Sequence, residues 1–258
     1  MEKGIGVAGA AGRMGRLVVE EIAAAGVRFA GALAQTGARA GGQTVRDMGE
    51  LCRVSDVVIE FTHASAAATH AEVAAAAGCA WVLGTSGLSA ADETAVAEAA
   101  RRIPVVYAAN FSPGVTLVLA LAEQMGAALA ADAYDAEIVE MHHRQKVDAP
   151  SGTAIAIGRA VAAGRGRKLE DLRESGRDGH TGPRKAGAIG FAALRGGQVV
   201  GEHTLLFAGA DEHVALTHRA FDRRAFATGA VTAARWLVGQ PPSLYSMRDV
   251  LGIARRSA

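Results

Sequence analysis

The sequence predicts an α/β chain in two parts, a parallel, doubly wound sheet followed by an α+β half. Three observations carry that prediction. Short apolar runs alternate with helical patterns through the first part of the chain, a rhythm that calls for parallel strands joined by right-handed crossovers. The rhythm stops near Phe111. Past residue 188, strand patterns follow one another across glycine-rich turns with no helix between them, which predicts antiparallel pairing.

Taken in order, residues 4–8 read as a short buried strand around Ile5 and Val7. Residues 12–25 have helical spacing, with Leu17, Val18, Ile22 and Ala25 on one side. Residues 27–33 form a second strand. Residues 57–61 form a third, whose continuous apolar run suits burial on both faces. An alanine-rich helix over 64–77 stops at Gly78, in the usual place for a left-handed terminating glycine. A strand over 81–83, a helix over 89–101 capped by Ser89, and a strand over 104–107 complete the first part. A boundary near residue 112 follows. Residues 114–130 read as a long helix, 134–143 as a strand with alternating polar residues, and 153–163 as a helix. The glycine- and charge-rich stretch 164–187 reads as a mobile loop. Strands over 188–194, 199–207 and 213–220 come next. Gly196-Gly197 is read as a hairpin turn between the first two, and Gly209-Ala210-Asp211 as the link to the third. Residues 221–238 are helical, and Pro241-Pro242 opens a short tail.

Composition narrows the function classes. Half of the 258 residues are apolar, but 58 are alanine. The larger apolar residues, roughly 28%, still exceed the level of disordered chains. A core is therefore expected, close-packed around small side chains. Net charge is +1, which argues against a nucleic-acid partner or a membrane-surface partner held by charge. Cys52 and Cys79 are too few for a disulfide scaffold and fit a reducing, cytoplasmic compartment. Met1-Glu2-Lys3 leads directly into a strand pattern, so no export signal is expected. The uncharged runs 73–91 and 103–122 are broken by Gly78, Gly84 and Gly87, and by Pro104, Asn110, Pro113 and Gly114. They read as several short elements rather than membrane spans.

Two segments carry chemistry. Gly9-Ala10-Ala11-Gly12-Arg13-Met14-Gly15 joins a strand to a helix, the position of a dinucleotide fingerprint, although its spacing is G-x-x-G-x-x-G. Gly9 permits the tight turn, Gly12 the approach of backbone N–H groups to a pyrophosphate, and Gly15 close helix–strand packing. Arg13 adds a charge-assisted contact. An ordinary tight βα turn is the competing reading. After the second strand, Leu33-Ala34-Gln35-Thr36 holds no carboxylate for a ribose hydroxyl. Arg39 is placed to pair with a 2′-phosphate or to sit solvated in the loop, so NADH and NADPH both stay open.

The second segment is Glu140-Met141-His142-His143-Arg144-Gln145-Lys146-Val147-Asp148-Ala149-Pro150-Ser151-Gly152-Thr153. Polar residues crowd a strand end just before a helix opens. Free N–H groups at that helix start suit a carboxylate or phosphate, and two histidines with a lysine supply positive charge and a proton near neutral pH. The pattern suits a small dianionic substrate that is protonated during reaction. Metal ligation by His142, His143 and Asp148 competes, weakened because adjacent strand residues face opposite ways. A charged strand end with a Ser or Asp helix cap also competes.

This segment resembles the signature of the 4-hydroxy-tetrahydrodipicolinate reductase (dihydrodipicolinate reductase) family, E-x-H-H-x-x-K-x-D-A-P-S-G-T-A, at every specified position from Glu140 to Ala154. Further pieces agree in order and spacing. They include Gly9–Gly15, Glu60-Phe61-Thr62-His63, Gly84-Thr85-Ser86-Gly87, Ala109-Asn110-Phe111-Ser112, His180-Thr181-Gly182, Gly190-Phe191, Gly201-Glu202-His203-Thr204 and Met247-Arg248-Asp249-Val250-Leu251. The resemblance implies an oxidoreductase using NADH or NADPH in lysine and diaminopimelate biosynthesis. It implies a Rossmann-like dinucleotide-binding domain over 1–112 plus about 225–258, and an α+β substrate and oligomerisation domain over 113–224. A homotetramer and a small dicarboxylate substrate are implied, with no metal. By resemblance, His142 is the proton donor or acceptor and Lys146 a second proton donor. His143, Ser151, Gly152 and Thr153 hold the substrate carboxylates. Gly9, Ala10, Ala11, Gly12, Arg13 and Met14 cradle the pyrophosphate, and Gln35 stands in the ribose region. Gly84, Thr85 and Ser86, with Ala108, Ala109, Asn110 and Phe111, lie near the nicotinamide.

The sequence departs from the family pattern at the second-strand acid and its basic neighbour, here Ala34 and Gln35. It departs again at Ala64, where proline is usual, and at Ser86 in place of threonine. His63 is divided between cofactor proximity and an ordinary loop histidine. His203, His213 and His218 read as structural or interface residues, Cys52 and Cys79 as small core residues, and Trp236 as packing. A cofactor-binding sensor without turnover, or another amino-acid dehydrogenase such as one acting on aspartate, would not need the intact His142, His143 and Lys146 set.

Overall fold

A computed structural model of the chain describes residues 3–34 and 44–254. In chain order, the elements begin with β1 (Ile5–Ala8), α1 (Arg13–Ala24), β2 (Phe29–Leu33), α2 (Met48–Val54), β3 (Val57–Glu60) and α3 (Ala64–Ala77). They continue with β4 (Ala80–Leu83), α4 (Ala90–Ala100), β5 (Pro104–Tyr107), α5 (Pro113–Ala128), β6 (Asp135–His142) and α6 (Gly152–Gly164). Then come α7 (Leu169–Leu172), β7 (Arg173–Ser175), β8 (Ile189–Arg195), β9 (Gly201–Ala208) and β10 (His213–Ala220). The chain closes with α8 (Arg224–Leu237), β11 (Ser243–Tyr245) and α9 (Met247–Val250). Two compact units result: Met1–Pro113 with Arg223–Ala254, and Gly114–Asp222.

The first unit is a Rossmann-like α/β layer structure. Its sheet runs β11-β5-β4-β3-β1-β2, and every pairing is parallel. Strand order reverses between β1 and β3, the crevice where open α/β sheets bind ligands. Alternate strand residues feed two separate cores. Val57, Ile59, Val82 and Val106 pack on one face with Val18 and Ile22 of α1 and Ala230, Ala234 and Leu237 of α8. Val58, Trp81, Leu83 and Val105 pack on the other with Leu51, Ala71, Ala74 and Val96. Both faces are covered, which explains why these strands read as continuous apolar runs. The alanines of α3 and α4 are the small side chains that let helices lie close on the sheet.

Local signals set the helix limits. Gly78 ends α3 at φ 63°, the left-handed position glycine fills without strain. Ser89 and Asp92 close a reciprocal capping box on α4. The sequence reading passed over α2, although Asp47 accepts from the Glu50 N–H at 2.7 Å; that D-x-x-E spacing was a visible signal. It also passed over β11 and α9, the latter capped by Ser246 and Asp249.

The second unit has a five-stranded sheet in the order β10-β9-β6-β8-β7. β6 and β8 are parallel, β7 and β8 are parallel, and β6–β9 and β9–β10 are antiparallel. The sheet is therefore mixed, which corrects two expectations. Gly196-Gly197 does not close a hairpin between β8 and β9, because these strands lie on opposite sides of β6. A two-glycine signal reports a reversal of the chain, not which strand the returning segment pairs with. The stretch 164–187 is likewise not a single loop, since it contains α7 and β7. Arg184 ties its end to β6 through Asp135 Oδ1 (2.7 Å), Glu137 Oε1 (2.8 Å) and the Ala136 carbonyl (2.9 Å). One face of the sheet packs Ile138, Ile189, Phe191, Leu205 and Phe207 against α5, α6 and α7. Val139 and Leu194 are exposed large apolar residues on the other face.

Candidate active site

The first unit bears an open cleft of about 1100 Å³ at the C-terminal ends of its central strands. The turn after β1 shapes its floor. Gly9 has φ 82°, and a Cβ there would lie 2.4 Å from the Phe61 carbonyl oxygen. A Cβ at Gly15 would lie 2.1 Å from the Gly9 carbonyl oxygen, so only glycine lets α1 start this close to β1. Gly12 occupies the N-cap of α1 and brings no side chain to the first-turn N–H groups. That leaves a helix N-terminus directed at the cavity, which suits a phosphate.

Gly9, Ala11, Gly12, Arg13 and Met14 line the cavity, as do Gly84, Thr85, Ser86, Ala109, Asn110 and Phe111. Ala10 and Ala108 are placed differently. Ala10 is fully buried in the core and donates its N–H to the Leu33 carbonyl at 3.3 Å. Ala108 packs on the same core and donates to Leu83 at 3.2 Å. Gln35 and Arg39 lie outside the described residues. His63 lines the cavity too, as do Arg16 and His70. Beneath them Glu60 is fully buried. It accepts from Trp81 Nε1 (2.9 Å) and the Thr62 hydroxyl, and its Oε1 lies 2.8 Å from His70 Nδ1. Thr85 Oγ1 accepts from the Thr62 N–H at 3.2 Å.

The His-His-Lys segment is built on β6 and the start of α6. Glu140 and His142 are two residues apart on one strand, so they share a face. His142 Nδ1 lies 2.6 Å from Glu140 Oε2. Its other nitrogen, Nε2, faces Gly201, where a Cβ would stand 3.0 Å away. Burial pushes the His142 imidazole below its ordinary value. Glu140 pulls it upward, while the positive charges of Lys146 and Arg195 add to the lowering. Lys146 Nζ donates to Asp148 Oδ1 at 2.8 Å, and that bond holds the Asp148 carboxyl below the usual range. The His143 N–H donates to the Val199 carbonyl at 2.8 Å. His143 Nδ1 is buried without a partner among the described residues.

Ser151 caps α6 by accepting the Ala154 N–H at 3.2 Å, and Gly152 and Thr153 form the first turn. A Cβ at Gly152 would meet nothing within 4 Å, so the approach to this helix start is open. Glu140, His142, Ser151, Gly152 and Thr153 are thus assembled on one strand end and one helix start. Sequence reasoning missed two contributors, Arg195 on β8 and His203 on β9, and gave Glu140 no role. Glu140 was within reach through its period-two spacing with His142. The other two enter only through sheet register, which pairs His142 with Arg195 and Glu140 with His203.

Among the described residues, no group of three or more His, Cys, Asp or Glu side chains is placed to hold a metal ion, and no helix is long and apolar enough to cross a membrane.

Comparison with known proteins adds independent findings. Residues 3–111 match the family "Dihydrodipicolinate reductase, N-terminus", and residues 114–251 match "Dihydrodipicolinate reductase, C-terminus". A 4-hydroxy-tetrahydrodipicolinate reductase of Granulibacter bethesdensis is 66% identical over 252 residues, covering 96% of this chain and 97% of that protein. One of Gluconacetobacter diazotrophicus is 62% identical over 249 residues, with the same coverage. The solved structure of dipicolinate-bound dihydrodipicolinate reductase from Paenisporosarcina sp. TG-14 shares the fold. Its TM-score is 0.77 at 21% identity, covering 94% of this chain and 96% of that one. The glycine cradle, the His-His-Lys strand end and the matches spanning both units lead to one conclusion: this chain belongs to the dihydrodipicolinate reductase family.

Proposed function

We propose that the chain reduces 4-hydroxy-tetrahydrodipicolinate to tetrahydrodipicolinate with loss of water, using NADH or NADPH, in lysine and diaminopimelate biosynthesis. The observation that carries this reading is the Glu140–Thr153 segment, where a buried carboxylate, an ionisable ring and an open helix start are joined.

The first-unit cavity fits a dinucleotide. Gly9, Ala11, Gly12, Arg13 and Met14, which line the cleft at the start of α1, would hold the pyrophosphate. Gly84, Thr85, Ser86, Ala109, Asn110 and Phe111 would hold the nicotinamide end, while Ala10 and Ala108 would act through core packing. When bound, the reduced nicotinamide would supply a hydride to the carbon left unsaturated once the 4-hydroxyl has departed as water.

The chain's own groups handle charge and protons. Gly152, Thr153, His143 and Ser151 bind the two substrate carboxylates at the start of α6, where N–H groups point outward. Those carboxylates bring negative charge beside His142 and favour its protonated form. With Nδ1 directed at Glu140, Nε2 is the atom that exchanges a proton. Lys146 supplies a second positive charge and proton as electrons collect on the ring nitrogen.

The homotetramer is what the family resemblance implies; the exposed Val139 and Leu194, with Met141 beside them on the same sheet face, make that face the candidate subunit contact. Cys52 and Cys79, both buried and free, suit a reducing cytoplasm.

A coupled assay tests the activity. The substrate is generated in place by its synthase from pyruvate and aspartate semialdehyde, and loss of reduced-nicotinamide absorbance is followed with NADH and NADPH in parallel. Rapid oxidation of either cofactor is expected. No oxidation, with cofactor binding intact by fluorescence, would overturn the reading.

A further inference from the structure

Glu140 is a carboxylate with essentially no exposure, and four hydrogen bonds from three residues converge on it. Arg195 grips it with two parallel bonds, Nη1 to Oε2 at 2.9 Å and Nη2 to Oε1 at 2.8 Å. Such a fork fixes the plane of the carboxylate as well as its charge. Arg195 also donates to the carbonyls of Leu194 (2.7 Å) and Asp148 (2.6 Å), so the guanidinium is itself immobilised. The remaining capacity of Glu140 goes to His142 Nδ1 (2.6 Å) and the Ser151 N–H (3.1 Å). One oxygen pair therefore touches both the ring that exchanges protons and the first residue of the carboxylate-binding turn.

His203 completes the arrangement from β9. Its ring lies edge-on to that of His142, with centroids 5.1 Å apart, and its Nε2 is 2.9 Å from Ser151 Oγ. His203 Nδ1 is buried without a partner among the described residues, so the proton of the neutral ring belongs on Nε2 and is donated to Ser151 Oγ; with the Ala154 N–H also donating there, the hydroxyl keeps its own proton for an incoming carboxylate.

We infer that Glu140, clamped by Arg195, is a positioning residue that locks His142 as the Nδ1–H tautomer and thereby selects Nε2 as the proton-exchanging atom. His203 does the corresponding work for the Ser151 hydroxyl. The inference deepens the reductase reading and rests on it for the role of His142. The groups facing the His142 ring are Glu140 on its own strand, Arg195 from β8, His203 from β9 and Lys146 from the following turn. Glu140 is the anion among these four. Replacing it by Gln removes the group that favours imidazolium, so His142 loses its proton at lower pH.

The test has two arms. In the first, ¹⁵N NMR of histidine-labelled wild-type protein reads the His142 tautomer without any turnover. Protonated Nδ1 in the neutral ring is expected, and a neutral ring protonated on Nε2 would overturn the inference. In the second, Glu140→Gln is expected to lower kcat roughly 100-fold, to leave KM for the nicotinamide cofactor unchanged, and to move the alkaline fall of the kcat profile to lower pH. Arg195→Lys, which keeps charge but loses the fork, gives a smaller loss of about 10-fold, and Glu140→Asp restores part of the activity. If Glu140→Gln fails to fold, Arg195→Lys and the wild-type spectrum decide. Folded Glu140→Gln and Arg195→Lys proteins with wild-type kcat and an unmoved pH limb would overturn the inference. Absence of reductase activity in a wild-type protein whose ring carries Nδ1–H would instead sink the proposed function alone.

Discussion

Replacing His142 by Gln keeps a polar side chain at the site but removes the ring that gains and loses a proton. kcat is expected to fall at least ~100-fold with little change in KM. Lys146→Ala should behave likewise, whereas Thr153→Val should chiefly raise KM because it removes a hydroxyl from the turn proposed to bind the substrate carboxylates. Steady-state kinetics separates the two patterns, and near-normal kcat in His142→Gln would end its acid role. His203 makes a different prediction. Burial, reinforced by the neighbouring His142, holds it at about 4 against an ordinary 6.5. Below 6.5 the unfolded chain takes up a proton that the folded chain refuses. The stability is therefore intact above 6.5 and is lost as the pH falls toward 4, by up to about 3 kcal/mol. Urea unfolding at neutral and acid pH should show a smaller acid loss in His203→Gln than in wild type, and equal losses would refute the assignment. The candidate residues between Glu140 and Thr153 were legible because they are contiguous and their spacing is informative. Arg195 and His203 were not, because nothing in a one-dimensional pattern says that β8 and β9 flank β6.

Element-scale reading succeeded where local chemistry decides the outcome, and failed where pairing is non-local. Gly78 and Ser89 marked helix limits because a left-handed residue and a side-chain cap act within one turn. Gly196-Gly197 misled because strand choice is settled by burial across the whole sheet. The charge-rich stretch before β8 misled for a related reason, since its charges have partners far away in sequence. Arg184 is the main tether, reaching Asp135 and Glu137 across almost fifty residues of chain. Arg184→Met should leave the helices and the main strands in place but raise the rate of limited proteolysis between Arg173 and Gly187 about 10-fold or more. Unchanged cleavage would mean that β7 pairing, with Arg165 on the Gly187 carbonyl and Arg177 beside Glu137, holds the segment without Arg184. At the other glycine-rich site, Gly15→Ala places a methyl against the Gly9 carbonyl. It should cost roughly 1–3 kcal/mol in thermal or urea unfolding and weaken NAD(P)H binding in a fluorescence titration.

At the scale of the whole molecule, the α/β class was readable because strand–helix alternation and two-sided strand burial are both written in the apolar pattern. The mixed order of the second sheet was not. If the open face bearing Val139 and Leu194 joins subunits, Val139→Lys should shift the protein to a lower mass by light scattering, and an unchanged mass would exclude that face. β11 and α8 belong to the first unit, yet a ribosome makes them after every strand of the second. Until Leu237 emerges, the face formed by Val57, Ile59, Val82 and Val106 lacks the alanine-rich helix that covers it. The second unit, continuous in sequence, can close while the first still waits for its lid. A nascent chain of this protein therefore carries an apolar sheet face covered by α1 alone for about half of its translation, and that is the interval in which a holdase chaperone would find it.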